Sequence, residues 1–310
     1  MELELPYILK HFNIAHIENN SLYIGNRKAF PFEKTFVKCE NVLEVVDALK
    51  KMVTQGGGPL EVGLRYLQLD LKRNCSLAKI KKDAKAISQA RPTNTTLKKT
   101  FEKLFQDSNL ETLNQNIEKT FDSFDIKYQK MGEYGNSLIK DGQTILTTCF
   151  AEHSLILSCV KARNEGKKIK VLCSETRPYL QGARLTAPSL EEMGIEVKVI
   201  TDNLSASMMG SIDLYMTASD RAFSDKTIIN KIGTLSNAII CNYFHKPYYA
   251  FSLSPDYCKP DFIIERRSGE ELTILSTMKT TFPHLGMDYP AFDVIDGSLV
   301  TSLITPNEII

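Results

Sequence analysis

The second half of the chain alternates β-type and helical segments, and this constrains the fold more than any other feature of the sequence. Residues 144–149 form a β-type run, and a helical pattern follows over 153–166. Short apolar strands separated by helical patterns then recur at 169–173, 196–200, 212–217 and 248–252. Because strands that alternate with helices imply a parallel sheet with right-handed crossovers, we predict a Rossmann-like α/β domain over residues 131–310.

The first part of the chain has a different pattern. Two short β-prone runs, at 21–24 and 35–39, precede a helix predicted over 42–52, for which Asn41 is a suitable N-cap. Helical patterns follow at 60–72 and over 77–130, with a break at 90–93. We therefore predict a smaller, mainly helical N-terminal domain with a short β lead-in over residues 1–130. Apolar residues at near-helical spacing should form its core, namely Leu97, Phe101, Leu104, Phe105, Leu110, Leu113, Ile117, Phe121 and Phe124.

Composition limits the partners that the chain can be expected to bind. With 310 residues, of which 43% are hydrophobic, it can bury one large core or two coupled domains. Its 38 basic and 37 acidic side chains give a net charge of +1, so no overall field favours nucleic acid or a membrane surface. No apolar run reaches the roughly 18 residues that a membrane-spanning helix requires. We expect neither nucleic acid nor membrane as a partner.

The cysteines indicate a reducing compartment. Their number is odd and none has CxxC spacing, which argues against a disulfide framework or a zinc site. The N-terminus also lacks the basic-then-apolar order of a signal peptide. We therefore expect free thiols and a cytoplasmic location. The cysteines are Cys39, Cys75, Cys149, Cys159, Cys173, Cys241 and Cys258.

Reactive side chains follow two of the predicted strands, and ligands of such sheets bind beyond the carboxyl ends of the strands. Cys149 comes before a predicted helix, whose N-terminus favours the thiolate, although a buried small hydrophobic residue is the alternative. Asp220 either faces the crevice or caps the following helix. His153, four residues after Cys149, either forms a Cys–His pair or is a polar residue at the helix start.

Two further polar segments are candidate ligand-binding elements. The turn at Arg177 and Pro178, continuing to Gln181 and Arg184, suits an anionic or polyhydroxyl ligand because guanidinium offers a planar fork. A surface turn with a salt bridge is the alternative. The amide and ammonium of residues 230–231 could hold hydroxyls or phosphate, or the segment could be a solvated helix start.

A glycine-rich loop interrupts the helices of the first domain. Gly56, Gly57 and Gly58 stand before Pro59, and successive glycines let backbone amides approach a phosphate closely. The loop lacks the Lys-Ser/Thr of a P-loop, so a simple chain break between helices is equally consistent with the pattern.

Several blocks in sequence order resemble the methylthioribose-1-phosphate isomerase family, and the resemblance covers nearly the whole chain. The block SETRPYLQGARLTAPSL at 174–190 is close to the family's ETRP-x-x-QGARLTA. ILTTCFA at 145–151 resembles ILTHCNAG, SDRAF at 219–223 resembles GADRI, and INKIGT at 229–234 resembles ANKIGT. ARPT at 90–93, YPAFDV at 289–294 and LITP at 303–306 also resemble family blocks, and the lead-in and glycine loop favour the methylthioribose branch.

The resemblance implies an enzyme that converts a sugar 1-phosphate from aldose to ketose without a metal or a nicotinamide cofactor. The implied substrate is S-methyl-5-thioribose 1-phosphate or a related pentose 1-phosphate, the implied pathway is methionine salvage, and the implied assembly is a homodimer. Cys149 falls on the catalytic cysteine and Asp220 on the catalytic aspartate. The positions implied to bind substrate are Gly56, Gly57, Gly58, Arg91, Gln181, Asn230 and Lys231.

Departures from the family pattern leave a second function open. The family's RGAP reads Gly56-Gly57-Gly58-Pro59 here, so a phosphate-loop arginine is absent, and Phe150 and Glu152 follow Cys149 where the family has asparagine and glycine. These changes also fit a non-catalytic binding or regulatory protein, like the translation-initiation exchange-factor subunits that belong to the same family. Sugar-phosphate binding without turnover would distinguish that function from isomerisation.

Overall fold

The computed structural model describes residues 3–91, 93, 95–257, 266–272, 278 and 280–310. After a 3-10 turn at Tyr7–Leu9, the chain forms a short helix α1 (His11–Ile14) and a three-stranded antiparallel sheet of β1 (Ala15–Glu18), β2 (Ser21–Gly25) and β3 (Phe36–Cys39). The two predicted strands are confirmed as β2 and β3, and β1 is an addition. Asn41 caps helix α2 (Val42–Lys50) as predicted, because its side chain accepts hydrogen bonds from the amides of Leu43 and Glu44.

Four longer helices complete the first half: α3 (Gly58–Lys72), α4 (Leu77–Ser88), α5 (Thr96–Gln106) and α6 (Leu113–Leu138). The predicted break at 90–93 separates α4 from α5, although Pro92 lies outside the described residues. A second break, at 107–112, was not predicted. Most of the predicted apolar series is buried or partly buried in one core with β1 to β3, whereas Leu110 is exposed in that break.

Helix α6 joins the two halves of the molecule. Its first turns bury Leu113, Ile117 and Phe121 in the N-terminal core, and further along Met131 enters the core beneath the second half. The predicted domain boundary at residue 130 falls inside this helix. The division into domains therefore stays a prediction, with α6 contributing to the packing on both sides.

The second half contains the predicted parallel sheet. Its strands are β4 (Thr144–Thr147), β5 (Lys170–Ser174), β6 (Glu196–Ile200), β7 (Leu214–Thr217), β10 (Tyr248–Phe251) and β14 (Ser302–Ile304), in the spatial order β14-β10-β7-β4-β5-β6. All the pairings between them are parallel. The α/β prediction is confirmed for the five expected strands, and β14 joins β10 at the sheet edge. Helices α7 (Glu152–Asn164), α8 (Ala187–Glu192), α9 (Ser205–Met208) and α10 (Thr234–Tyr243) lie between the strands in the chain.

A second, antiparallel sheet contradicts two expectations. It contains β8 (Arg221–Ala222), β9 (Ile228–Lys231) and β13 (Phe292–Ile295), in the order β13-β9-β8. Asn230 and Lys231 are buried on β9, so the solvated helix start considered for them is wrong. Strand β8 directly follows Asp220, so this aspartate does not cap a helix either. A two-stranded pairing of β11 (Arg266–Arg267) with β12 (Tyr289–Pro290) lies alongside.

Strand order fixes where the candidate residues can meet. Strands β7, β4 and β5 are neighbours, and Cys149, Asp220 and the 174–190 block follow their carboxyl ends. Because parallel strands end at the same edge of the sheet, these segments face one crevice. Among the described residues, no helix is long and apolar enough to cross a membrane.

Candidate functional site

A cavity of about 120 Å³ lies at the carboxyl edge of the parallel sheet, between the sheet and the glycine loop. It brings together residues that are far apart in sequence, including both candidate catalytic groups. Among the catalytic and substrate-binding residues implied by the resemblance, Gly58 alone does not line the cavity, since it packs behind the wall against Thr54 and Arg27. The predicted residues in the lining are Gly56, Gly57, Arg91, Cys149, Gln181, Asp220, Asn230 and Lys231.

The backbone of Cys149 is held by two threonines from the 174–190 block. The residue has a left-handed conformation, with φ 68°. Its amide donates to Thr176 Oγ1 at 2.9 Å, and its carbonyl accepts from Thr186 Oγ1 at 2.7 Å. Thr186 Oγ1 also accepts from the amide of Ala151 at 2.8 Å. Sequence reasoning read this block only as a ligand-binding turn and missed that it positions the cysteine.

The electrostatic surroundings of Cys149 differ from the sequence-based expectation. Burial raises the pKa of the thiol to about 11, and this outweighs the opposing effect of the nearby Lys231 ammonium. Asp220 raises the pKa of Cys149 further. Because desolvation disfavours the charged form, the thiol predominates at neutral pH, and the expected thiolate is wrong for the protein in this state.

Lys231 is a buried cation surrounded by aromatic rings. Its Nζ lies 4.9 Å from the ring centre of Phe292 and 5.4 Å from that of Tyr179, and 3.4 Å from the hydroxyl of Tyr289. Burial lowers the pKa of Lys231, whereas Cys149 and Asp220 raise it. Burial therefore acts against the charged form of both groups, since it raises the pKa of the Cys149 thiol and lowers the pKa of the Lys231 ammonium.

Gln181 is aimed into the cavity without a partner. The side chain is 1% exposed, and neither Oε1 nor Nε2 has a hydrogen-bond partner among the described residues. Next to it, a Cβ on Gly182 would overlap the carbonyl oxygen of Ser174, so only glycine fits the turn that delivers Gln181. A buried amide with both ends unpaired costs free energy unless a ligand completes it.

Asn230, Asp220 and Arg91 complete the polar lining. Asn230 Nδ2 donates to Thr234 Oγ1 at 3.1 Å, which orients the amide at the start of α10. The amide of Asp220 donates to the carbonyl of Ile229 at 3.0 Å, so the adjacent β9 strand fixes its backbone. Arg91 Nη1 contacts Met52 Sδ at 2.7 Å, next to the glycine loop.

The residues that follow Cys149 extend toward the glycine loop. Glu152 starts α7 with φ 56° and lines the cavity, and its carboxylate occupies the space beside Gly56 where a Cβ would be. Arg27 Nη1 lies 3.6 Å from Glu152 Oε1, and Phe150 lies under the Arg27 guanidinium. Sequence reasoning did not identify Arg27.

His153 does not line this cavity. Its ring stacks on Tyr128 with centroids 4.3 Å apart, and Nδ1 lies 3.5 Å from Glu152 Oε2. It instead lines a smaller cavity behind the glycine loop, together with His11 and Asp125. The geometry therefore favours a structural role for His153 over a Cys–His pair.

Comparisons with known proteins agree with this architecture. The model of the Initiation factor 2 subunit family matches residues 46–307. The chain is 32% identical to the methylthioribose-1-phosphate isomerase of Thermotoga maritima, over 94% of this chain and 92% of that protein. It is also 32% identical to the enzyme of that name from Caldicellulosiruptor saccharolyticus, over 97% of this chain and 96% of that protein.

Solved structures resemble the chain over its whole length. The 5-methylthioribose 1-phosphate isomerase of Pyrococcus horikoshii matches with a TM-score of 0.79 and 26% identity, covering 100% of this chain and 96% of that one. Subunit delta of the translation initiation factor eIF-2B from A. fulgidus matches with a TM-score of 0.76 and 28% identity, covering 96% and 95%. With these matches, and a site assembled from the same sequence blocks, the chain belongs to the Initiation factor 2 subunit family, among relatives that are methylthioribose-1-phosphate isomerases.

Proposed function

We propose that this chain is an aldose–ketose isomerase acting on a sugar 1-phosphate, either S-methyl-5-thioribose 1-phosphate or a related pentose 1-phosphate. The observation that carries the proposal is that Cys149 and Asp220 line one cavity. Lys231, at the end of strand β9, lines the same cavity. The names of the relatives support the same reaction class.

A sugar phosphorylated at its anomeric carbon cannot open its ring as a free aldose does, so the ring oxygen needs an acid. In the proposed reaction Asp220 donates a proton to the ring oxygen as the bond from that oxygen to C1 breaks. A base then takes the C2 proton, which gives an enol phosphate. Return of a proton to C1, with loss of the C2 hydroxyl proton, yields the 1-phosphoketose. Each positioned proton transfer contributes about 10²–10⁴-fold.

Cys149 is the proposed base between C2 and C1. Its pKa of about 11 means that the reactive thiolate is a minor form at neutral pH, and the Lys231 ammonium stabilises that form. Gln181 and Asn230 are the proposed partners of the sugar hydroxyls, and Arg91 and Lys231 supply positive charge for the phosphate. Gly56 and Gly57 form the opposite wall.

A turnover assay tests the proposal. Purified protein should convert at least one pentose 1-phosphate to its ketose, and Cys149→Ala and Asp220→Asn should each lower kcat by at least about 100-fold. The half-buried Cys75, which does not line the cavity, provides a matched control, because Cys75→Ala should leave turnover unchanged. Thermal denaturation of each variant checks that the fold is intact.

The same assay separates the proposal from the alternative of a regulatory protein. If the folded chain binds sugar phosphates but converts none of a panel, the isomerase proposal fails and the non-catalytic alternative gains support. We also propose a cytoplasmic homodimer that works in methionine salvage. Light scattering of the purified protein would test the dimer.

A further inference from the structure

An ion-pair cluster near the cavity joins the two halves of the molecule. Asp256, which follows β10, accepts a hydrogen bond from Nε of Arg221 at 2.6 Å and a second one from Nζ of Lys99. Arg221 lies on β8 in the second half, whereas Lys99 lies on α5 in the first half. A single carboxylate therefore links a helix of the N-terminal half to the strand that follows Asp220.

This carboxylate is charged and largely shielded from solvent. The side chains of Asp256 and Arg221 are each 13% exposed. Burial raises the pKa of Asp256, but hydrogen bonds from Lys99 and Arg221 outweigh it, so the pKa lies below its ordinary value. Charge-assisted hydrogen bonds are stronger when they are shielded from water, so the cluster can hold its elements in one arrangement.

The backbone of Asp256 supports the same strand. Its amide donates to the carbonyl of Ala222 at 2.8 Å, and its carbonyl accepts from the amide of Ser224 at 2.8 Å. Strand β9 also pairs with β8, and its Ile229 carbonyl accepts from the amide of Asp220. The proposed proton donor thus lies at the start of a two-residue strand whose position depends on both neighbours.

The elements joined by the cluster both line the cavity. Thr96 and Leu97 contribute to the lining from α5, and Arg221 and Ser254 contribute from the second half. Leu97 is also buried in the N-terminal core, so α5 is fixed to that half. Because a cavity between two halves closes when they approach each other, the contact of Lys99 with the second half belongs to the closed arrangement.

We propose that Asp256 is a positioning residue, which clamps α5 against the segment of Asp220 when the cavity closes over a sugar phosphate. The contact with Lys99 stabilises the closed arrangement, and the contact with Arg221 holds the preceding residue, Asp220, in place beside the substrate. Asp256 does not itself line the cavity, so it acts through these two partners. The inference rests on the proposed function, because it concerns the position of the acid in that reaction.

Steady-state kinetics separate the two contacts, with methylthioribose 1-phosphate and ribose 1-phosphate as the probes. Lys99→Met removes only the contact between the halves. Because Lys99 is 41% exposed, KM should rise about threefold while kcat changes little. Lys99→Arg keeps the charge and should restore KM. Asp256→Asn also weakens the hold on Arg221, so kcat should fall at least about tenfold as Asp220 is displaced.

A matched control comes from the neighbouring lysine of the same helix. Lys98 lies 3.9 Å from Glu102 on α5 and is 66% exposed, so Lys98→Met should leave both KM and kcat unchanged. The double variant of Lys99→Met with Asp256→Asn should have the kcat of Asp256→Asn and no further rise in KM, because the contact between the halves is already lost. If Asp256→Asn does not fold, Asp256→Glu is the second variant, since it keeps the charge but displaces Arg221.

Hydrogen exchange tests the clamp without requiring turnover. Saturation with either probe should slow amide exchange over 96–106 on α5 and over 220–224. Lys99→Met should reduce the protection of α5 about threefold, whereas Lys98→Met should retain it.

Two kinetic results would overturn the inference while leaving the isomerase proposal standing. The first is a KM that is unchanged in Lys99→Met or is raised equally in Lys98→Met. The second is an Asp256→Asn protein that unfolds at a lower temperature but keeps the kcat of the unsubstituted protein, which would mean that Asp256 only stabilises the fold. If neither probe is converted, the proposed function fails. Loss of the α5 protection in Lys99→Met then supports the clamp, and its persistence overturns it.

Discussion

The two walls of the cavity differ in how they are built. The sheet-side wall carries Cys149, Asp220 and Lys231 on segments that follow or form strands. The backbone of Cys149 is fixed because its amide donates to Thr176 and its carbonyl accepts from Thr186. The glycine-loop wall has no side chains of its own at residues 56 and 57, and it is covered by Glu152 from the opposite half of the molecule. The first wall is built from segments that match the family's sequence blocks. The second wall contains the departures from those blocks, at Gly56 and Glu152.

This difference separates reaction from selectivity. The groups proposed to move protons are retained and held by neighbouring strands, which tolerate little displacement. The departures at Gly56 and Glu152 are a single spatial exchange, because the carboxylate occupies the space that a side chain at residue 56 would need. The sheet-side wall can thus retain the proton-transfer groups while changes in the glycine-loop wall alter which substrate group is recognised.

The largest expected effect comes from breaking the glycine-loop wall at Gly56. Gly56→Ala should destabilise the protein by about 4 kcal/mol, because an L-residue is strained at φ 61° and the methyl group would displace Glu152 from Arg27. In a Glu152→Gly background the same change should cost only about 1 kcal/mol, the strain alone. Denaturant unfolding of the unsubstituted protein, Gly56→Ala, Glu152→Gly and the double variant measures this coupling. Additive losses of unfolding free energy would contradict the contact between residue 56 and Glu152.

A substitution at Lys231 should impair the function of the sheet-side wall. The pKa of Cys149 is raised, so kcat/KM should rise with pH above neutrality as the thiol loses its proton toward its pKa of about 11. Removing the ammonium in Lys231→Met should move this rise to higher pH and lower kcat/KM at pH 7 by about 100-fold, since Lys231 lowers the pKa of Cys149. Values of kcat/KM measured from roughly pH 6.5 to 9.5 test this, because the thiolate fraction of Cys149 rises with pH throughout that range. An unchanged profile would exclude Lys231 as the stabilising charge.

The smallest effect should come from Thr186, which sharpens the view of how the cysteine is held. Thr186→Val preserves the shape but removes the bonds to the Cys149 carbonyl and the Ala151 amide. Two buried backbone groups lose their partner, so stability should fall by about 2 kcal/mol and kcat should fall with little change in KM. Ser189→Ala, on the adjacent α8 and without a hydrogen-bond partner among the described residues, is the control. Equal effects of the two substitutions would argue against positioning of the cysteine by Thr186.

Much of the fold followed from local patterns. The strand–helix alternation identified five strands of the parallel sheet, and the Asn41 cap and the apolar series identified the N-terminal helices. Strand β14 and the β8, β9 and β13 sheet were missed, because short segments such as 302–304 carry too few residues to show a period. Their pairing is decided by contacts with distant strands.

The site was predictable in membership but not in its energetics. The sequence placed Cys149 and Asp220 after strands, and adjacency of β4 and β7 brings both to one cavity. The expected thiolate was wrong because the helix-start argument counts only local charge, whereas burial by distant segments dominates the pKa of Cys149. Arg27 carried no signal, since its role depends on carbonyls of Ile8 and Gln55 that only folding brings to it.

The amino-acid sequence by itself determined the parallel α/β architecture, the helical first half and the family, because hydrophobic period and contiguous blocks are properties of neighbouring residues. Tertiary structure alone decided that Glu152 covers the glycine loop, that two threonines hold Cys149, and that Lys231 lies among aromatic rings. These arrangements join segments far apart in the chain. Their charges and hydrogen bonds depend on distance and burial, which exist only once the two halves have packed together.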